Sequence, residues 1–318
     1  MRMIGDTSRL NRGYVGIPTF LRSDYCADLD MLKADFAVFG VPFDEGSPFL
    51  PGSRFGPRSI REHSLRFSPN GLFDPSSGRV YLADAVRRGL IADVGDVDVV
   101  PTSPGRTFDN LTCMVAAIRE HGAVPVMLGG DHAVSFPAVR GFQGEDIHVI
   151  QFDAHIDYGI YDPEFRYGNG QGFRQINELT HVASLTQVGI RSFRTNPDDF
   201  FKAKADGSRI VTMDQFKAQR LDVTFGHIPE GASVYVSIDI DAYDAPLVPG
   251  CVSAEPEGFS FAAMRGALGH IAAQFKVAGF DLVEVNPTLD VGTGVTSYLG
   301  ALTVAMFMGE IMNWQASA

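Results

Sequence analysis

The feature that most constrains this chain is a recurring series of short, unbroken apolar runs rich in Val and Ile. The runs occupy residues 35–40, 124–129, 147–152, 184–190, 209–213, 233–238 and 280–285. Apolar side chains at successive positions are typical of strands that are covered on both faces, as in parallel sheets. The pattern therefore predicts an α/β protein built on a buried parallel sheet.

Helix-like segments lie between several of these runs. One is predicted from Asp109 to His121, and another from Ser260, a suitable N-cap, to Gly279. The alternation predicts one doubly wound domain over residues 1–318, with helices on both faces of the sheet. Residues 1–34, an N-terminal extension, and residues 64–90 fit the alternation poorly, and we expect loops or edge additions there.

Charge and composition exclude several functional classes. The chain has 38 acidic and 26 basic side chains, a net charge of -12, and no block of Lys or Arg, so we expect neither a nucleic-acid nor a membrane partner. We find no unbroken apolar run of about 18 residues and no apolar signal segment, and therefore predict no membrane span. Three separated cysteines form neither a disulfide framework nor a CxxC site, which favours a reducing cytoplasm.

Ionisable side chains follow three of the predicted strands. Parallel strands end at one edge of a sheet, and residues two apart in extended backbone point to the same side. We therefore expect six side chains to converge: His132, Asp153, His155, Asp157, Asp239 and Asp241. Any one of these motifs alone is more often a turn or a capped loop, but their joint occurrence favours a metal site. Four carboxylates so close together require counter-charge, which two divalent cations would supply.

The donor set also bears on the identity of the metal. Oxygen and nitrogen ligands without a thiolate disfavour structural zinc and suit Mn²⁺. Ni²⁺ would bind at least as tightly, so it is our second choice.

Two glutamates near the predicted strand ends are further candidates. Glu284 could hold a planar cation by paired hydrogen bonds, or it could cap a neighbouring turn. Glu255 lies in a nearby loop, where a structural role is equally open.

The motifs at 129–132, 153–157 and 237–246 together resemble those of the ureohydrolase family, which includes arginase, agmatinase, guanidinobutyrase, guanidinopropionase and proclavaminate amidinohydrolase. The stretches 16–22 and 39–61 are more similar to the agmatinase and guanidinobutyrase branch than to arginase. The resemblance implies a three-layer αβα fold with a parallel eight-stranded sheet and a binuclear site that normally holds manganese. It also implies a homotrimer or homohexamer, and we leave open a hetero-complex with a related subunit.

The resemblance also assigns roles to individual residues. His132 and Asp157 would bind one ion, His155 and Asp241 the other, and Asp153 and Asp239 would bridge both. A solvent molecule between the ions would attack the guanidinium carbon. Asp157 would orient it and pass its proton to the leaving amine, and Glu284 would hold the guanidinium.

The chain departs from the family pattern in two places. The segment 165–173 lacks the histidine that agmatinase-like members use as a proton shuttle, and the alignment places either Tyr167 or Asn169 at its position. The loop 248–258 also differs, and its Ser253 and Glu255 are candidate substrate contacts.

These observations predict an amidinohydrolase that acts on a small guanidino compound. Agmatine and guanidinoalkanoates are the usual substrates of the family, while the two departures favour guanidine, an alkylguanidine or a biguanide. The alternatives are a non-catalytic supporting subunit and a formimino or amide hydrolase on the same fold, including single-zinc deacetylases.

Overall fold

A sheet of nine parallel strands forms the centre of the computed structural model, which describes residues 17–68 and 70–315. Eleven strands occur in this part of the chain: β1 Asp24–Tyr25, β2 Phe36–Gly40, β3 Leu72–Asp74, β4 Arg79–Tyr81, β5 Ile91–Asp96, β6 Val124–Leu128, β7 Ile147–Phe152, β8 Val182–Ile190, β9 Arg209–Thr212, β10 Ser233–Asp239 and β11 Lys276–Val283. The order across the large sheet is β1-β5-β2-β6-β11-β10-β7-β8-β9, and β3 and β4 form a separate antiparallel pair.

Helices cover the sheet on both sides. They are α1 Gly56–Ser64, α2 Ala83–Arg88, α3 Pro104–Glu120, α4 Ser135–Arg140, α5 Gly172–Asn177, α6 Pro197–Ala205, α7 Met213–Ala218, α8 Leu221–Phe225, α9 Phe261–Gln274 and α10 Val295–Gln315. Short 3-10 helices occupy Phe20–Arg22, Leu29–Met31, Ser53–Phe55, His132–Val134, Asn169–Gln171, Ile240–Ala242 and Ala245–Leu247.

The core has two halves, one on each face of the sheet. Successive strand side chains enter opposite halves: Phe36 and Val38 pack with α1, α9 and α10, whereas Ala37 and Phe39 pack with α3, α4 and α5. Burial on both faces explains why the strands read as continuous apolar runs. The predicted three-layer αβα fold with a parallel sheet is confirmed.

The strand count and some boundaries differ from the sequence predictions. The sheet has nine strands rather than eight because the two-residue β1 pairs with β5 at one edge. Strand β5 was not predicted, since Asp93 and Asp96 interrupt its apolar pattern. Arg61 compensates both charges, with Nε 2.8 Å from Asp93 and Nη1 2.6 Å from Asp96.

Each of the two predicted helices has one end confirmed and the other wrong. Helix α3 begins at Pro104 rather than Asp109, and proline is well suited to the first helical turn. Helix α9 does begin after the N-cap Ser260, but it ends at Gln274. Gly279 lies inside β11, where an added Cβ would be 2.7 Å from the ring of Phe142.

The two segments expected to be irregular are partly ordered. Residues 64–90 contain the β3–β4 pair and α2, which agrees with an edge addition. The predicted N-terminal extension is described only from residue 17 onward, and that part contains β1.

Helix α10 contains a stretch that sequence inspection overlooked. Val295–Met312 has a mean hydropathy of 1.4 and is long and apolar enough to cross a membrane. However, 67% of this stretch is buried inside the fold, and α10 packs against α1 and α9. It therefore has the character of a core helix.

Candidate metal centre

Four adjacent strands in the middle of the sheet, in the order β6-β11-β10-β7, deliver the polar residues of the candidate centre. His132 follows β6, Glu284 follows β11, Asp239 ends β10 and Asp153 follows β7. All four strands run in parallel, so their carboxyl ends meet at one edge.

The six side chains predicted to converge do lie together. Nδ1 of His132 lies 3.0 Å from a carboxylate oxygen of Asp153, 3.0 Å from one of Asp157 and 3.1 Å from one of Asp239. Nδ1 of His155 lies 3.0 Å from Oδ2 of Asp241.

The two histidine clusters share Asp153. Its Oδ2 is the oxygen that faces His132, and its Oδ1 lies 3.4 Å from Nδ1 of His155. The donor atoms of His132, Asp153 and Asp239, and likewise those of Asp153, His155 and Asp241, all lie within 4.8 Å of one another. One carboxylate between two donor sets is the arrangement that a pair of ions would require.

Hydrogen bonds behind His132 fix which of its nitrogens is free. Nε2 lies 2.9 Å from Oγ of Ser237, and that hydroxyl donates to Oδ1 of Asp281 at 2.7 Å. Because the hydroxyl hydrogen is used by Asp281, the imidazole must donate from Nε2. In the neutral ring Nδ1 then carries a lone pair that is directed at the centre. An outer hydrogen bond of this kind commonly sets the tautomer and orientation of a metal-binding histidine.

In the neutral ring that lone pair faces only carboxylate oxygens, which cannot donate to it. Burial lowers the pKa of His132, but Asp153, Asp157 and Asp239 raise it well above its ordinary value, so either a proton or a metal cation has to stand between this nitrogen and the carboxylates. Nδ1 of His132 is fully buried and makes no hydrogen bond with any residue between 17 and 315 that the structure describes, although three carboxylate oxygens surround it. A buried polar atom without a partner is costly, and a cation between this nitrogen and the carboxylates removes the cost. The donor set therefore fits divalent metal ions.

The electrostatics of the cluster lead to the same conclusion. Burial raises the pKa of Asp239 well above its ordinary value, and the neighbouring Asp241 and Asp153 raise it further. Burial, followed by the charge of Asp153, raises the pKa of Asp157 to about 6. Bound cations would stabilise the ionised carboxylates and lower these pKa values.

His155 is held from behind by a charged pair. Nη2 of Arg194 lies 2.9 Å from Nε2 of His155, and Oε1 of Glu255 lies 3.6 Å from the same nitrogen. Arg194 also donates to Glu255 from Nε at 3.0 Å. If His155 binds an ion through Nδ1, its Nε2 carries a hydrogen, which only Glu255 of this pair can accept.

The backbone is strained at the two residues proposed to act on the substrate. Glu284 has φ of 64° and Asp157 has φ of 45°, a region that side-chain-bearing residues seldom adopt. Such strain clusters at functional sites because the surrounding structure must maintain it. The backbone of Glu284 is held by its amide, which donates to the carbonyl of Gly130 at 2.8 Å. Gly130 leaves no room for a side chain, because an added Cβ would lie 1.7 Å from the carbonyl oxygen of Phe43.

A cavity of about 390 Å³ opens onto the cluster. Its described lining includes Asp157, Asp239, Asp241, His155 and Glu284, together with Ser47, Pro48, Phe49, Ile156, Tyr158, Gly159, Asn169, Gly170, Arg194, Thr195, Asn196, Asp199, Val252 and Ser253. The volume is within the range of small-ligand sites.

The sequence-predicted loop residues separate into two groups. Asn169 and Ser253 line the cavity. Tyr167 is absent from the described lining; its ring stands edge-on to Phe108 with centroids 5.1 Å apart. Glu255 is also absent from the described lining, and it accepts a hydrogen bond from Ser192 at 2.7 Å behind His155. Neither side chain therefore lines the described part of this cavity.

Several residues around the centre were not predicted. Ser237 stands two positions before Asp239 on one strand, so strand periodicity could have indicated it. Gln151, whose Nε2 donates to Asp153 at 2.7 Å, has the same relation to that residue. No sequence pattern indicates Arg194 or Cys251. The sulfur of Cys251 lies within 4.8 Å of carboxylate oxygens of Asp239 and Asp241.

The chain is similar to known proteins over most of its length. The model of the Arginase family matches residues 34–309. Proclavaminate amidinohydrolase of Streptomyces clavuligerus is 33% identical over 302 residues, covering 92% of this chain and 92% of that protein. Guanidinobutyrase of Pseudomonas aeruginosa is 31% identical over 306 residues, covering 90% of this chain and 89% of that protein.

The fold is similar to a solved structure as well. The structure of proclavaminate amidinohydrolase from Streptomyces clavuligerus superimposes with a TM-score of 0.82 at 29% identity, covering 95% of this chain and 99% of that chain.

Proposed function

The chain belongs to the arginase family, a family of metal-dependent hydrolases that act on C–N bonds, and we propose that it hydrolyses a small guanidino compound to urea, or a substituted urea, and an amine. The observation that carries the proposal is the buried Nδ1 of His132, which faces three carboxylates without a hydrogen-bond partner. We infer that a cation binds there, beside a cavity that Asp157 and Asp239 line.

His132, Asp153, His155, Asp157, Asp239 and Asp241 would hold two divalent ions. When bound, such a pair supplies water activation and neutralises developing negative charge. We propose Mn²⁺ or Ni²⁺, since the oxygen and nitrogen donors accept either metal.

Glu284 is the proposed anchor of the guanidinium. Its Oε1 accepts from the amide of His132 at 2.9 Å and from Nδ2 of Asn169 at 3.1 Å. Its Oε2 has no hydrogen-bond partner among the described residues and lies beside the cavity, so it is free to accept from a planar cation. Burial raises the pKa of Glu284 to about 7; a bound guanidinium would favour the charged form.

Asp157 is proposed to orient the attacking water and to carry a proton to the leaving amine. It lines the cavity, and its carboxylate is 14% exposed. No histidine other than His155 lines the cavity among the described residues. The proton therefore reaches the amine through Asp157 or from solvent.

We propose a substrate without a strongly charged tail, such as guanidine, an alkylguanidine or a biguanide. Outside the cluster the described wall of the cavity carries both Arg194 and Asp199, which do not form a patch of one sign. A charged substrate tail would therefore lie near a side chain of the same charge as well as one of the opposite charge. Arg194 is already paired with Glu255 at 3.0 Å.

Four further properties of the protein are also proposed. We place the chain in the agmatinase and guanidinobutyrase branch because of the stretch 39–61. A homo-oligomer and a cytoplasmic location follow from analogy with the family and stay predictions, as does the single-domain organisation.

The test is a urea-release screen of protein loaded separately with Mn²⁺ and Ni²⁺. The substrates are guanidine, dimethylguanidine, a biguanide, agmatine and guanidinobutyrate. Asp239→Ala, purified in parallel, controls for a contaminating ureohydrolase. We expect urea or a substituted urea from an uncharged-tail guanidine. Release of formamide from a formimino compound added to the same screen, with no urea from the guanidines, would favour the formimino hydrolase. No product under either metal would favour a non-catalytic subunit.

A further inference from the structure

Cys251 places a sulfur atom at a centre whose other donors are oxygen and nitrogen. The donor atoms of Cys251, Asp239 and Asp241 all lie within 4.8 Å of one another. An ion bonded to sulfur at about 2.3 Å and to oxygen at about 2.1 Å spans at most about 4.4 Å, so these donors share one ion if the widest separation closes by up to about 0.4 Å.

The group containing Cys251 overlaps both histidine groups. Asp239 also belongs to the group of His132, and Asp241 also belongs to that of His155. A second observation also marks the centre as a ligand site: the side chain of His132 is 1% exposed, and its Nδ1, which lies 3.1 Å from Asp239, makes no hydrogen bond with the residues that the structure describes. The sulfur of Cys251 thus lies beside the position at which the proposed binuclear site would hold a cation.

The loop that carries Cys251 is firmly held. The amide of Cys251 donates to the carbonyl of Val248 at 3.1 Å. The amide of Gly250 donates to Oγ1 of Thr296 at 2.7 Å, and its carbonyl accepts from the amide of Asn286 at 2.7 Å. Asn286 is two residues from Glu284, so the loop is fixed to the same strand end as the substrate anchor.

The side chain of Cys251 is 8% exposed, and the cavity is lined by its neighbours Val252 and Ser253 instead. The thiol donates a hydrogen bond to no acceptor that the structure describes between residues 17 and 315. A buried thiol directed at two carboxylates without a hydrogen-bond acceptor is therefore placed to bind a cation that these carboxylates share.

We propose that the thiolate of Cys251 is an additional ligand of the ion held by Asp241, and that it makes the centre favour Co²⁺, Ni²⁺ or Zn²⁺ over Mn²⁺. This inference rests on the binuclear site proposed above. On binding, the S–H bond breaks, a sulfur–metal bond forms and the proton leaves to solvent. A thiolate prefers these later, softer metals, so the sequence-based preference for Mn²⁺, which assumed no thiolate, is reversed.

The first test is optical. Wild type is titrated with Co²⁺ while a near-ultraviolet thiolate-to-metal charge-transfer band is followed. Cys251→Ser and Cys251→Ala are the test variants, and Cys113→Ser, which changes an exposed thiol, is the matched control. We expect the band in wild type and in the control, and its loss in both test variants. In the test variants the ratio of the Mn²⁺ to the Ni²⁺ dissociation constant should also fall by at least about tenfold relative to wild type.

A second measurement uses wild type alone, in case the test variants fold poorly. X-ray absorption of the Zn²⁺-loaded protein should show a sulfur neighbour at about 2.3 Å. Cys251 is not a ligand if Co²⁺-loaded wild type has the same spectrum as Co²⁺-loaded Cys251→Ala. The same conclusion follows if Zn²⁺-loaded wild type shows no sulfur neighbour. Urea release is scored separately, so this failure would leave the proposed function standing.

Discussion

Nδ2 of Asn169 lies 3.1 Å from Oε1 of Glu284, so a residue of the loop that lacks the expected histidine donates to the proposed substrate anchor. The amide of His132 donates to the same oxygen at 2.9 Å. Oε1 of Glu284 is therefore used by the protein, whereas Oε2 has no hydrogen-bond partner among the described residues. Substitutions of Glu284 and Asn169 should therefore change substrate turnover, whereas substitution of a residue behind His132 should change metal affinity.

Glu284→Gln should retain the metal ions and lose turnover. Removing one member of a charged, hydrogen-bonded pair in a buried site costs roughly 2–5 kcal/mol, mostly because the other member is left unpaired. We expect kcat/KM to fall by the corresponding factor, measured by urea release, with Glu164→Gln as an exposed control. Unchanged kinetics would assign Glu284 a structural role.

Asn169→Ala should reduce kcat/KM more than Tyr167→Phe. A hydrogen bond to a charged group contributes about 1.5–3 kcal/mol, and Asn169 donates one to Glu284, whereas the ring of Tyr167 packs on Phe108. The two variants are compared on one substrate with metal content checked in each. A hundredfold loss in Tyr167→Phe would instead show that its hydroxyl transfers a proton.

Ser237→Ala should weaken metal binding while leaving the ligands in place. Without the hydroxyl, Nε2 of His132 loses its acceptor and the link to Asp281, so the tautomer that frees Nδ1 is no longer favoured. Loss of a second-shell partner typically costs 10–100-fold in metal affinity, which calorimetric titration would measure against Ser76→Ala, an exposed serine. Equal dissociation constants would contradict the proposed role of this relay.

Asp44→Asn should destabilise the fold in a pH-dependent way. Asp44 accepts from the amides of Gly52 and Arg54 and pairs with the Arg54 side chain. Burial alone would raise the pKa of Asp44, but these contacts lower it below its ordinary value of 3.8. The stabilisation is thus present above pH 3.8 and is lost as the pH falls through the folded-state pKa.

Urea denaturation of wild type and Asp44→Asn at several pH values measures this effect. We expect the difference in unfolding free energy to be about 1–3 kcal/mol near neutral pH and to shrink in acid. A difference that is constant with pH would show that the charge of Asp44 is not responsible.

Residues at the ends of strands could be predicted from the sequence, whereas residues whose position depends on distant partners could not. His132, Asp153 and Asp239 could be predicted to meet because strand ends of a parallel sheet share an edge, and this holds whatever the loops do. Strand β5 could not be predicted, since the charge of Asp93 is acceptable only next to Arg61, which is 32 residues away in sequence. Cys251 likewise gave no local signal, because its position depends on the hydrogen bonds that the preceding residue, Gly250, makes with Asn286 and Thr296.

Counting the bound metal tests most directly whether the centre holds two ions, one beside His132 and the other beside His155. Elemental analysis of wild type and of Asp153→Ala and Asp239→Ala, each equilibrated with excess Mn²⁺ or Ni²⁺, gives the number of ions per chain. We predict two ions in wild type and loss of both in either variant, because each of these carboxylates contributes to two donor groups. A single ion in wild type under metal excess would contradict the binuclear centre.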